Sequence, residues 1–148
     1  MQRTKAILFD FGRTLFDTEN NLLFPQTIDV LKYCERRYRL GLVSIARNGI
    51  CERANQIAHL GLRKHFFVIR LGVENKDALY EGAVLAVGLP PEEITVVDDR
   101  IKRLGWPIKN KCRVIWLKKG KFADELPNEQ TGFPSHIIEN IAEVLKFV

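Results

Sequence analysis

Ala6-Ile7-Leu8-Phe9-Asp10-Phe11-Gly12-Arg13-Thr14-Leu15-Phe16-Asp17 opens on four apolar residues and sets a carboxylate at their end. The apolar run reads as a buried strand. An aspartate at its tip is costly to bury unless a metal or a chemical task compensates. Gly12 lets the backbone approach a metal or a phosphate closely. The Thr14 hydroxyl can donate to a phosphoryl oxygen, and Arg13 is a candidate contact for the same anion. Asp10 is therefore the first candidate for a nucleophile or metal ligand.

Outward from this stretch, short apolar runs alternate with helical spacing. Strands are expected at residues 6–10, 41–45, 67–69, 94–98 and 113–117. Helices are expected over 27–39, where Ile28, Leu31 and Cys34 share a face, over 50–60, and over 76–87, where Leu79, Ala83 and Ala86 align before Gly88. A last helix is expected over 138–147. The alternation predicts an α/β fold, a doubly wound, Rossmann-like, mainly parallel sheet flanked by helices, as one domain over residues 1–148.

In such sheets ligands sit outside the carboxyl ends of the strands, at a switch point. Four of those ends carry polar residues: Asp10, Ser44, Lys76 just past the third strand, and Asp98-Asp99. Carboxylates from two strands suit Mg²⁺, which takes one or two of them together with a backbone carbonyl and waters. Ser44 can hydrogen-bond a phosphoryl oxygen, and Lys76, near a helix N-terminus, can pair with both the phosphate and the nucleophile. Asp98-Asp99 would also suit a turn or helix N-cap. A receiver domain combines similar groups, but its acidic pair follows the first strand and here the pair follows a late one.

The same residues resemble the four motifs of the haloacid dehalogenase-like (HAD) hydrolases. Residues 6–17 resemble motif I, Leu42-Val43-Ser44 motif II, Lys76 motif III and Ile94 to Asp99 motif IV, in the family's order. The resemblance implies an aspartyl-phosphate on Asp10 and Lys76 as its catalytic partner. It implies Mg²⁺ held by Asp10, the Gly12 backbone carbonyl, Asp99 and Asp98, while Thr14, Ser44 and Arg13 are the substrate-binding candidates read from the residues themselves. The chain departs from the family's phosphatases at position 12, where they carry a second Asp as general acid/base, and at Arg103, where a further acid is usual. Assistance of that kind is typically worth about 10²–10⁴-fold.

Three outcomes follow from Gly12. The leaving group needs no proton, as in acyl or mixed-anhydride phosphates; another group, Asp17 or the substrate itself, substitutes; or the chain is a catalytically weak phosphate-binding or regulatory module. The dehalogenase branch also lacks this Asp. Only 33 residues separate Asp10 from Ser44 and 31 separate Ser44 from Lys76, too few for a cap domain. The resemblance is thus to a capless member, whose open cleft suits a large phosphorylated substrate or a homo-oligomer in which a neighbour supplies the lid.

The net charge of +5 is unevenly placed: nine Lys or Arg and no acid lie between Arg100 and Lys121, leaving 14 basic against 18 acidic residues elsewhere. This segment could attract nucleic acid or another polyanion, but a solvated helix face and strand rim is the favoured reading. Three cysteines without CxxC spacing indicate a reducing compartment, with the thiols packed as small hydrophobes. No apolar run approaches a bilayer span, and the N-terminus runs straight into a strand, so a cytoplasmic location is expected, with no membrane contact.

Overall fold

The computed structural model describes residues 3–148. The chain forms β1 (Ala6–Asp10), β2 (Phe16–Asp17), β3 (Leu22–Leu23), α1 (Thr27–Glu35), β4 (Arg39–Ile45), α2 (Ile50–His59), β5 (Val68–Gly72) and α3 (Lys76–Val87). It continues with β6 (Ile94–Asp98), α4 (Gly105–Lys109), β7 (Arg113–Leu117) and β8 (His136–Ile138), with a closing 3₁₀ segment over Ile141–Lys146. Six strands make one parallel sheet in the order β5-β4-β1-β6-β7-β8, and β2 and β3 form a separate small hairpin.

All five residues of β1 are buried because the strand lies at the centre of a sheet covered on both faces. Ile7 and Phe9 face a core that includes Leu31, Cys34, Ile57 and Val144, contributed by α1, α2 and the closing 3₁₀ segment. Ala6 and Leu8 face the second core, built with Tyr80, Ala83, Val84 and Val87 of α3 and with Trp116 of β7. The buried face of α3 is therefore Lys76, Tyr80, Ala83, Val84 and Val87, rotated from the expected line of Leu79, Ala83 and Ala86.

Three expectations are corrected by tertiary pairing. α1 stops at Glu35 because the Cys34 carbonyl accepts the Arg37 and Tyr38 amides, and Arg39 is drawn into β4 opposite Ala6. The third expected strand lies later, as β5, in register with Gly41–Ile45. No α-helix begins at Ile138: His136–Ile138 is the sixth strand, paired with Ile115–Leu117. The helical turn starts after Asn140, whose side chain and that of Glu143 form a capping box.

The chain leaves β1 toward β4 and β5, then crosses back to β6, β7 and β8, so the sheet's switch point lies between β1 and β6. Phe9 pairs with Val97, which ends Asp10 and Asp98 side by side. The hairpin and α1 occupy the stretch between Asp10 and β4, and α2, a 3₁₀ turn and β5 fill that between Ser44 and Lys76. Neither holds an inserted domain. No helix among the described residues is long and apolar enough to cross a membrane.

Gly41 sets the spacing of β4 between its neighbours: a Cβ there would lie 2.5 Å from Leu8 Cδ2 and 2.9 Å from Val68 Cγ1. Gly41→Ala is therefore expected to cost about 1–3 kcal/mol through overpacking, read as a lower urea midpoint with an unchanged m-value.

Candidate active site

The turn after β1 brings its polar residues back onto Asp10. Arg13 adopts a left-handed conformation (φ 61°), and the Phe11 carbonyl gathers the amides of Thr14, Leu15 and Phe16. Thr14 is fully buried and donates to Asp10 Oδ2 at 3.0 Å. Its hydroxyl thus holds one oxygen of the Asp10 carboxylate. None of the turn's backbone hydrogen bonds uses the Gly12 carbonyl.

On the other side of Asp10, Asn75 caps α3 from a left-handed conformation and accepts the Ala78 amide. Lys76, the first residue of the helix, extends inward, with its Nζ 2.6 Å from Asp10 Oδ1 and 3.2 Å from Asp98 Oδ2. One turn further, the buried Tyr80 hydroxyl donates to Asp98 Oδ2 at 2.6 Å, and the Arg100 amide donates to Oδ1 at 3.0 Å. Every oxygen of Asp98 is thereby engaged. Asp99 differs: Trp116 Nε1 donates to its backbone carbonyl at 3.0 Å, while Oδ2 is buried without a hydrogen-bond partner among the described residues.

Burial alone would drive the Lys76 ammonium toward its neutral form, but Asp10 and Asp98 outweigh it and hold the pKa above the ordinary lysine value. For Asp10, burial and the Asp98 charge prevail over Lys76 and Thr14, so its pKa is raised. Asp98 shows the opposite direction: against burial, Lys76, the Tyr80 hydroxyl and the Arg100 amide lower its pKa. Burial, then Asp10 and Asp98, push Asp99 up to about 10.

These residues fit a divalent cation. Asp10, Asp98 and Asp99 offer carboxylate oxygens within 4.8 Å of one another, all buried, against a single ammonium. Hard oxygen donors of this kind suit Mg²⁺ or a similar ion. Asp99 Oδ2 supplies an uncommitted ligand, and a bound cation would favour the ionised form of all three acids.

The cleft above the cluster has a volume of about 250 Å³ and is lined by Asp10, Gly12, Ser44 and Asp99 together with a group of cations. Ser44 is next to last in β4, and its hydroxyl receives a guanidinium hydrogen bond from Arg53 Nη1. Arg13 lines the cleft and pairs with Glu19 at 3.3 Å. Arg47, Arg100, Arg103 and Lys121 also line it. Part of the basic segment therefore faces the site and is not simply a solvated rim.

Among the described residues, the carboxylates that line the cleft are Asp10 and Asp99. Asp17 accepts the Asn20 side-chain amide at 2.8 Å and the Glu19 and Asn20 backbone amides at 3.1 and 3.2 Å. The Asn20 hydrogen bond holds its pKa below the usual carboxylate value, the wrong direction for an acid near neutrality.

Arg53 and Tyr80 are site residues that sequence reading missed. Arg53 lies one turn into the helix after motif II, among residues that read as an ordinary exposed face. Tyr80 is four residues from Lys76, and a polar tip on the apolar side of a helix was its available signal. Of the histidines, His65 packs inward with Nδ1 2.8 Å from Glu35 Oε2, away from the cluster. Cys34 and Cys112 are buried, with thiol pKa values raised by burial to about 12. Cys51 is exposed, contrary to the expectation that all three would pack inside.

The raised pKa of Asp99 has a signed consequence. Without metal the folded chain retains a proton between about pH 4 and pH 10 that the unfolded chain loses, so stability falls as pH rises through that window. Asp99→Asn removes this cost. In chelator, the variant is expected to be more stable than the parent by about 1–3 kcal/mol at pH 8, with a smaller difference at pH 5, in urea unfolding.

No family model matches the sequence, and no curated protein matches it. Solved structures do match in fold. YfnB from Bacillus subtilis, assigned as a HAD-hydrolase and bound to magnesium, has a TM-score of 0.81 at 11% identity, with 98% of each chain covered. An L-2-haloacid dehalogenase has a TM-score of 0.79 at 16% identity, with 99% of each chain covered. A predicted phosphoglycolate phosphatase from Haemophilus somnus has a TM-score of 0.69 at 21% identity, with 84% of this chain and 56% of that chain covered. The chain therefore has the core fold of the HAD-like hydrolases over nearly its whole length.

Proposed function

We propose that this protein is a Mg²⁺-dependent phosphohydrolase of the cytoplasm that acts through an aspartyl-phosphate on Asp10. The observation that carries this reading is the meeting of Asp10, Lys76, Asp98 and Asp99 at the sheet's switch point, beneath a cleft lined by cations. Lys76 and Thr14 hold one Asp10 oxygen each and set the plane of the carboxylate for attack on phosphorus. Ser44 and Arg53 stand where they can take phosphoryl oxygens, the guanidinium supplying positive charge and a fixed fork of donors. Magnesium, held by Asp10, Asp99, the Gly12 carbonyl and, directly or through an intervening group, Asp98, would screen the phosphoryl charge from the approaching carboxylate.

Phosphoryl transfer is favoured over carbon–halogen cleavage by the acidic trio. Attack of a carboxylate on a neutral carbon needs no cation beside it, and two further buried carboxylates would only add repulsion. A dianionic phosphoryl group, by contrast, requires the charge that such a trio recruits. A second reading, a phosphate-binding module with little turnover, is favoured by one observation: among the described residues, the cleft is lined by no carboxylate other than Asp10 and Asp99.

p-Nitrophenyl phosphate separates these readings, because its leaving group departs without a proton. Release of p-nitrophenol is expected to require both Mg²⁺ and Asp10, and Asp10→Asn is expected to lower kcat by at least about 10³-fold. A folded protein with no Asp10-dependent release would favour the binding module or an enzyme highly selective for another phosphorylated substrate. Position 12 itself can be probed, since a Cβ there meets only Thr18 Cγ2, at 3.7 Å. If poor leaving groups limit a compromised enzyme, Gly12→Asp is expected to raise turnover of alkyl phosphates by about 10²-fold.

A further inference from the structure

Two features of the cleft concern the leaving group, and they converge. The first is that, among the described residues, the cleft is lined by no carboxylate other than Asp10 and Asp99, with Asp17 occupied by its own turn. A leaving group in this site departs as an anion. The second is an excess of positive charge. Asp10, Asp98 and Asp99 would be balanced by Lys76 and one divalent cation, which leaves the inner cluster neutral.

Around that cluster stand Arg13, Arg47, Arg53, Arg100, Arg103 and Lys121. Glu19 pairs with Arg13, and Glu125 pairs with Arg100 at 3.0 Å. Among the described residues, Arg47, Arg53, Arg103 and Lys121 have no carboxylate partner. A transferred phosphoryl dianion would take up Arg53, beside Ser44, and one more. At least two cations then remain for charge that belongs to the rest of the substrate. Arg47 and Arg103 are placed for it, because with Ile45 they form the shared wall between the cleft and an adjoining cavity of about 670 Å³.

Building on the phosphohydrolase reading, we propose that the substrate is a phosphoanhydride, the terminal phosphoryl group of a diphosphate or longer polyphosphate, whose leaving phosphate is received by Arg47 and Arg103. An Asp10 carboxylate oxygen bonds to the terminal phosphorus as the bond from phosphorus to the bridging oxygen breaks. The electron pair stays on the bridging oxygen, and the leaving group departs as a phosphate anion that needs no proton near neutral pH. Water then attacks the aspartyl-phosphate, the bond between phosphorus and the Asp10 oxygen breaks, and the carboxylate is restored. The attacking water contributes its oxygen and one proton to inorganic phosphate, and its second proton passes to a phosphate oxygen or to solvent. One anhydride and one water thus give inorganic phosphate and the substrate shortened by one phosphoryl group, with no change of oxidation state. The surplus guanidinium groups stabilise charge that grows on the leaving oxygen, so they act where a general acid would otherwise be needed.

The test uses the 148-residue chain with Mg²⁺ on four substrates: inorganic pyrophosphate, ADP, AMP and p-nitrophenyl phosphate, with Asp10→Asn as the blank. The expected result is a kcat/KM for pyrophosphate, ADP or both at least about 10²-fold above that for AMP. Turnover of pyrophosphate alone points to an inorganic source of the anhydride, turnover of ADP to a nucleotide source, and either supports the proposal. The double variant Arg47→Ala/Arg103→Ala is expected to lose at least about tenfold more kcat/KM toward the anhydride than toward p-nitrophenyl phosphate. Comparable rates on AMP and the anhydrides, or equal losses in the double variant, with p-nitrophenyl phosphate still turned over, overturn the anhydride and leave the phosphohydrolase standing. Lack of Asp10-dependent turnover on all four overturns both.

Discussion

The buried ammonium of Lys76 is the contact on which the site depends. Asp10 and Asp98 end neighbouring strands and would repel one another across a water-poor gap. Lys76, at 2.6 Å from one and 3.2 Å from the other, makes their proximity tolerable. Buried ion pairs of this sort contribute little net stability, yet removing one partner leaves an uncompensated charge and is strongly destabilising. The arrangement therefore constrains everything that delivers it: the left-handed Asn75 that starts α3, the pairing of β1 with β6, and the Tyr80 hydroxyl that holds Asp98 from below. The fold brings these groups together at the sheet's switch point, and the stability of the domain comes chiefly from the two apolar cores on either face of the sheet.

Charge is layered outward from that contact. Innermost are three carboxylates with one ammonium, a set that is incomplete without further positive charge. Outside them lies a belt of arginines and a lysine contributed by the turn after β1, the segment after β4, the segment after β6 and, for Lys121, the segment after β7. An anion approaching the cleft meets the belt first and the acidic cluster last, so the outer charge offsets the repulsion that the inner acids would otherwise exert. The same belt makes the absence of an acid at position 12 chemically coherent, since guanidinium groups can stabilise an anionic leaving group that nothing protonates.

Much of this was legible from local pattern. A buried strand that ends in Asp10, a second that ends in Asp98-Asp99 and a lysine at a helix start needed only hydrophobic runs and their polar ends to be found. β1, β6, β7 and α3 lie where those runs predicted. The errors share one cause, which is that partners distant in sequence decide where an element stops. α1 ends early because Arg39 is claimed by β4, and Ile137-Ile138 pairs with β7 although its spacing also fits a helix. The Thr14 contact to Asp10 could not be read from sequence, because it depends on a turn whose key residue, Arg13, is left-handed without being glycine.

The sequence by itself determined the alternation of strands and helices, the parallel sheet, and the four strand ends at which polar groups would collect. These follow from side-chain periodicity and from the cost of burying a carboxylate, both of which act locally. Only the tertiary structure decided which of those groups touch. It set Lys76 between Asp10 and Asp98, left one oxygen of Asp99 without a partner, brought Arg53 onto Ser44, and turned Arg103 toward the cleft. Those outcomes depend on strand register and on the crossover between β5 and β6, which bring together residues tens of positions apart, and electrostatic interactions act over ångströms of space with no regard to distance along the chain.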